Sequence, residues 1–270
     1  MLSYESLLEE ATREGMPTSK VRGIIREYVQ VLMLKYLYRS EWRTNFLFTG
    51  GTSLRLLYGL KRFSEDVDFN LRGLSMADFE HAAVFVSREL RREGISCDLE
   101  FSHRGPLFMA EFNLRGIQER YGVIDRRGEI SIKLEAYTPD YALEIETGVV
   151  NSFGEVFLVN SMSRGSIFAD KLDTLRKKKR GRHVYDVIFM LTRKFPINRA
   201  LLRLNGIEDE PKEAIIGIIN GIADSQLEKL SEEVTPFLFD ETESRLIREA
   251  KLVVRNLVSR FVSGVEEREV

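Results

Sequence analysis

Residues 46–71 read FLFTGGTSLRLLYGLKRFSEDVDFNL, and this stretch decides the fold. A short apolar strand, 45–49, ends in the pair Gly50–Gly51. A hydroxyl-rich segment then opens a helix running to about Tyr58, and a second apolar strand, 67–71, carries Asp66 and Asp68 at its head. The glycine pair lets the backbone turn sharply and come close to a ligand. Thr52 or Ser53 is expected to cap the helix, whose N-terminal amides attract phosphate. Two residues apart on a strand, the carboxylates of Asp66 and Asp68 project from the same face. Such a pair suits Mg²⁺, a hard cation that takes one or two carboxylates and completes its shell with substrate phosphate oxygens. A phosphate cradle followed by a metal clamp points to phosphoryl or nucleotidyl transfer.

Outward from this stretch the chain alternates helix and strand. Val21, Ile24, Ile25, Tyr28, Val31, Leu32 and Tyr36 recur at helical spacing after a Met16-Pro17-Thr18-Ser19 start, predicting a helix over 19–38. A second amphipathic helix is expected over 76–92, stopped by Gly94. Period-two runs follow at 95–101, 108–114, 129–137 and 155–159, separated by Gly, Pro and charged turns. Beyond about residue 161 strand signals cease, and 166–178, 183–193, 211–220 and 242–262 all carry helical periodicity. The expected class is α+β: a mixed sheet with packed helices over 1–160, then an α-helical C-terminal domain over 161–270. Glu266 and Glu267 read as a frayed tail.

A chain of 270 residues can bury a full core as one large or two smaller domains. No apolar run is long enough to span a bilayer and no signal-peptide pattern opens the chain, so no membrane association is expected. Cys97 is the one cysteine, which excludes an internal disulfide and fits a reducing cytoplasm. The net charge of −2 disfavours a general nucleic-acid coat protein but leaves room for a local basic groove. His81 and His103 lack ligand-spaced partners, so no zinc site is expected.

GGTSLRLLYG followed by RFSEDVDF is similar to the nucleotidyltransferase signature of the polymerase β superfamily, a G-[GS]-x-S turn with a downstream D-x-D. Its particular form, GGTSLR and then R-x-S-x-D-x-D-F, resembles the AbiEii/AbiGii toxin family, which includes the MenT toxins. The resemblance implies a polymerase β-like sheet and Mg²⁺-dependent transfer from a nucleoside triphosphate to an acceptor hydroxyl, with two metal ions and release of pyrophosphate. The same resemblance implies the 3′ end of tRNA as the expected acceptor, a cognate antitoxin as the expected partner and the cytoplasm as the expected place of action.

Residue by residue, the resemblance implies that Asp66 and Asp68 are the metal-binding acids and that Ser53 with Gly50 and Gly51 forms the phosphate turn, the alternatives being solvated strand-end acids, a plain helix cap and glycines needed for the turn alone. Arg55 could reach phosphate or an acidic strand residue, and Arg62 could pair with phosphate or base. Ser64 matches the active-site serine two residues before the first aspartate. On the strand EISIKLEAY, Ser131, Lys133 and Glu135 share one face while Ile132, Leu134 and Ala136 face the core. Glu135 fits the place of a third metal-binding carboxylate, with a plain surface acid as the alternative. Further on, Lys171 matches the family's helix-borne lysine, and Asp186 closes the run Arg182-His183-Val184-Tyr185-Asp186; His183 stands where the family usually has aspartate. Lys171 would hold nucleotide phosphate and Asp186 would orient it or take a proton, the alternative being a helix–helix ion pair. Asp66→Asn or Lys171→Ala is expected to abolish transfer with the fold intact. Lys177, Lys178, Lys179, Arg180 and Arg182 form a basic run suited either to a solvated helix end or to an RNA backbone. Two other functions fit the same residues: transfer to a small molecule, as in antibiotic-modifying nucleotidyltransferases, and nucleotide or RNA binding without catalysis.

Overall fold

Helices α1 (Tyr4–Arg13) and α2 (Val21–Arg39) precede a seven-stranded mixed sheet, in which β1 (Phe46–Thr49) leads directly into α3 (Gly50–Tyr58) and then β2 (Val67–Leu71). Helix α4 (Met76–Arg92), strands β3 (Ser96–Arg104) and β4 (Leu107–Arg115), the single turn α5 (Ile117–Arg120), and strands β5 (Ile130–Tyr137), β6 (Ile145–Ser152) and β7 (Glu155–Met162) complete this part. The computed structural model describes residues 1–123 and 128–260. The strand order is β3-β4-β5-β2-β1-β7-β6. Pairings β2–β5 and β1–β7 are parallel and the others antiparallel. The chain divides into two units, Met1–Met162 and Ser163–Val270.

The two faces of the sheet differ as strand alternation requires. Phe48, Phe69, Ala136, Phe112 and Val159 lie on the face covered by helices and are buried. Phe46 packs on Phe69 and Phe79 with ring centroids 5.2 and 6.3 Å apart, tying α4 to the sheet centre. The other face carries Thr49, Asp68 and Glu135 in register, and farther along it Val149, Val156 and Leu158 are exposed.

Helix α1, the turn α5 and strand β6 carry no sequence expectation. Helix α1 is mostly polar and holds on through the buried Leu7 and Ala11, one turn apart. Strand β6 carries Gly148, where a Cβ would come within 2.9 Å of the Leu57 side chain; the glycine lets the strand lie close to α3. A two-residue turn at Phe153 and Gly154, both at positive φ, joins β6 to β7 with the twist a tight hairpin needs.

The second unit is all helical among the described residues: α6 (Arg164–Lys177), α7 (Gly181–Thr192), α8 (Arg199–Leu204), α9 (Pro211–Asn220), α10 (Asp224–Val234), α11 (Arg245–Arg248) and α12 (Ala250–Ser259). The α+β architecture with a helical C-terminal part is therefore as expected. The single helix expected over 242–262 is instead broken into a 3-10 turn, α11 and α12. Asp240 accepts from the Thr242 amide and starts the chain as a 3-10 turn, which the apolar spacing does not register. Residues 261 and 262, and the tail with Glu266 and Glu267, lie outside the described residues. Among the described residues no helix is long and apolar enough to cross a membrane.

Candidate active site

The Gly50–Gly51 turn is shaped by what stands against it. Gly50 has φ +76°, and a Cβ there would overlap the Asp68 carboxyl group, whose Cγ would lie 2.6 Å away. At Gly51 a Cβ would meet Arg62 Nη2 at 2.6 Å and Ser64 Oγ at 2.9 Å. The glycines thus let one acid, one guanidinium and one hydroxyl close on the start of α3. Gly50→Ala is expected to cost about 1–2 kcal/mol in backbone strain. It should also displace Asp68, so transfer falls far more than the unfolding midpoint does. A variant with wild-type transfer would show that Asp68 need not stand where it does.

The capping expectation is corrected by the structure. Helix α3 begins at Gly50 with Thr49 as N-cap and no side-chain cap. Thr52 and Ser53 lie inside the helix and are wholly buried. Thr52 Oγ1 donates to the Asp66 carbonyl, and Ser53 Oγ donates back to the Gly50 carbonyl at 2.9 Å. Neither hydroxyl is spent on the α3 amides, so those amides keep their capacity for an anion.

Asp68 lies within β2, whereas Asp66 lies one residue before it, so the same-face argument applies to Asp68 directly. Asp66 is instead placed by its carbonyl's bond from Thr52. Asp68 is flanked in register by Thr49 on β1 and Glu135 on β5, and Asp66, Asp68 and Glu135 are all half-buried. Glu135 thus stands beside Asp68 on one face, with Ile132, Leu134 and Ala136 buried on the other. Among the described residues no group of three or more His, Cys, Asp or Glu side chains is disposed to hold a metal ion by itself. An acid pair at a phosphate turn nevertheless fits Mg²⁺, which keeps several positions for water and substrate oxygen.

Arg62 is buried, 3% exposed, and its Nη1 donates to the Phe63 carbonyl at 2.9 Å. Its other terminal nitrogen faces Gly51, holding a positive group at the α3 N-terminus. Arg55, expected at phosphate or at a strand acid, serves elsewhere. Its Nη2 lies 3.0 Å from Glu27 Oε1 on α2 and 3.1 Å from Glu14 Oε2. Glu14 Oε1 accepts from Ser152 Oγ at 2.5 Å and from the Phe153 amide at 3.3 Å, so this cluster locks α1, α2, α3 and the β6–β7 turn together. Spacing alone could not reveal it, since one guanidinium gathers acids 28 and 41 residues away. One signal was present: Glu27 interrupts the apolar stripe of Ile24, Tyr28 and Val31 on α2.

Burial pushes the Glu27 carboxyl up to about 7, against the opposing pull of Arg55. The half-buried Glu14 carboxylate competes for the same guanidinium and adds to the rise, so Glu27 holds its proton more tightly than a free glutamate. The folded protein holds this proton while the unfolded chain, with its ordinary value of 4.5, releases it; rising pH between 4.5 and about 7 therefore favours unfolding. Glu27→Gln is expected to remove that slope from a plot of unfolding free energy against pH. An unchanged slope would mean that Glu27 is ionised in the folded protein.

In the second unit, Lys171 on α6 pairs with Asp186 on α7, Nζ to Oδ2 3.1 Å, with side-chain exposures of 11% and 0%. Arg182 is half-buried and His183 buried, one turn before Asp186. The basic run straddles the α6–α7 turn, and Lys177, Lys178, Lys179 and Arg180 are exposed. Lys177 Nζ sits 2.5 Å from Asp173, and Lys179 Nζ donates to the Gly221 carbonyl at 2.7 Å, which anchors part of the run to its own unit.

A seven-stranded mixed sheet with a glycine turn facing a strand acid is the fold of a solved nucleotidyltransferase. Residues 32–260 match the family described as the nucleotidyl transferase AbiEii toxin, type IV toxin–antitoxin system, and the chain belongs to that family. Its fold is similar to that of MenT4, a nucleotidyltransferase toxin from Mycobacterium tuberculosis, with TM-score 0.56 and 15% identity over 99% of this chain and 95% of that one. It is similar also to JHP933 from Helicobacter pylori, with TM-score 0.53 and 16% identity over 89% and 93% of the two chains. No curated protein matches the chain.

Proposed function

We propose that this enzyme transfers a nucleoside monophosphate from a nucleoside triphosphate to the 3′ end of tRNA, releasing pyrophosphate and halting translation. The observation that carries the transfer chemistry is the closure of Asp68 on Gly50 at the start of α3, with Glu135 beside it in register. Triphosphate oxygens take the α3 amides, the Gly50–Gly51 turn and the Arg62 guanidinium, with Ser64 and Ser53 as hydroxyl donors once Ser53 leaves the Gly50 carbonyl. Asp66 and Asp68 would hold Mg²⁺, with Glu135 in register beside Asp68 as the candidate third acid; when bound, the ion would offset charge on the phosphates and lower the pKa of the attacking hydroxyl. Lys171 is assigned to nucleotide phosphate, and Asp186 orients its ammonium.

The tRNA assignment rests on the family likeness and on the exposed basic turn at Lys177, Lys178, Lys179 and Arg180, with Arg182 behind it. The type IV toxin–antitoxin description supports a cognate antitoxin encoded with the chain, and both proposed substrates fit a reaction in the cytoplasm. The test is incubation with total tRNA, Mg²⁺ and each α-labelled nucleoside triphosphate in turn. Label on tRNA that is lost in Asp66→Asn supports the reading. Label on added aminoglycosides and not on RNA would replace the acceptor by a small molecule, and RNA binding without turnover would replace the enzyme by a binding module.

A further inference from the structure

The segment that carries the acids has no strand partner of its own until Val67, yet three of its successive carbonyls are taken by side chains. Gln30, on α2 and 1% exposed, spends both hydrogens of its amide on it: Nε2 donates to the Ser64 carbonyl at 3.2 Å and to the Glu65 carbonyl at 3.0 Å. Thr52 Oγ1, from α3, takes the next carbonyl, that of Asp66. Two further contacts come from the same stripe of α2. Gly23 leaves room for the Phe63 ring, which a Cβ would meet at 2.9 Å, and Arg26 Nη1 lies 3.1 Å from Glu65 Oε1. Positions 23, 26 and 30 recur at helical spacing, so one face of α2 underlies 63–65.

We propose that Gln30 is a positioning residue, which together with Thr52 holds the Ser64–Asp66 backbone so that the acid pair is set for the divalent ion before substrate arrives. The proposal rests on the reading of Asp66 and Asp68 as metal-binding acids. An irregular segment costs conformational entropy to order, and a buried carbonyl needs a donor. A primary amide is the smallest neutral group that can donate to two adjacent carbonyls at once, which accounts for a buried glutamine on an otherwise apolar stretch of helix. Fixing the acids in advance leaves that ordering already done when the ion binds.

The test measures Mn²⁺ binding to the purified full chain by paramagnetic resonance, together with amide hydrogen exchange over residues 64–68 without metal. Gln30→Met keeps the volume and loses both donors, Thr52→Val keeps the shape and loses its donor, and Thr52→Ser keeps the donor. Gln30→Met and Thr52→Val are expected to weaken Mn²⁺ binding by about 10- to 100-fold and to speed exchange over 64–68, with Thr52→Ser restoring both. Wild-type Mn²⁺ affinity in folded Gln30→Met or Thr52→Val overturns the proposal. So does exchange raised evenly over the whole sheet, which would make these residues merely structural. If Gln30→Met does not fold, the Thr52 pair decides alone. Mn²⁺ bound equally by wild type and Asp66→Asn would reject the metal reading itself, an outcome separate from failure of the positioning role.

Discussion

Asp68→Asn is expected to lower nucleotidyl transfer by about a thousandfold. A bound divalent ion contributes several kcal/mol of charge stabilisation in the transition state, and losing roughly 4 kcal/mol of it corresponds to about three decades in rate. The amide has the shape of the carboxylate, so it fits the same space against Gly50 and between Thr49 and Glu135. The unfolding midpoint should therefore move by no more than roughly 2–4 °C, the equivalent of about 1 kcal/mol in a chain of this size. Steady-state transfer with saturating nucleotide, beside a thermal melt, checks both parts. Transfer within tenfold of wild type would remove Asp68 from the metal site.

Lys171→Ala is expected to act first on stability, which reverses the sequence-based expectation that the fold would survive. Asp186 is wholly buried and its carboxylate lies 3.1 Å from the Lys171 ammonium. Taking the ammonium away from a wholly buried carboxylate costs about 1.5–3 kcal/mol, a fall of several degrees in midpoint. Lost activity in Lys171→Ala therefore says little about phosphate binding. Lys171→Met combined with Asp186→Leu removes both charges and should recover most of the stability, as apolar replacement of buried pairs commonly does. If that double variant is stable and inactive, the pair serves the chemistry; if Lys171→Ala alone melts like wild type, the buried-pair argument fails. The helix–helix ion pair given as the alternative is present, and the double variant tests whether the same contact also serves the chemistry.

The acid strand was legible because short-range rules govern it. Gly50–Gly51, Asp66, Asp68 and the alternation that buries Ile132, Leu134 and Ala136 while sparing Glu135 all follow from periods of one to four residues. Strand β2 and helix α4 have the bounds expected of them, because each carries its own apolar pattern and its own end signals. Helices α1 and α10 and strand β6 had too few apolar residues to announce themselves; each is held by a neighbour. Arg55 was misplaced for the same reason, since its partners come from elsewhere in the chain.

Sequence alone determined the glycine turn and the acids Asp66 and Asp68 that follow it, because those residues lie close together in the chain. Tertiary structure alone decided the supports: that Gly50 makes room for Asp68, that Glu135 falls beside it, and that Glu14 and Glu27 claim Arg55. It also decided that Gln30 holds the carbonyls before Asp66. Local pattern fixes which way a side chain points along its own element. Which distant group meets it depends on sheet register and helix packing, and those are settled only when the whole core closes.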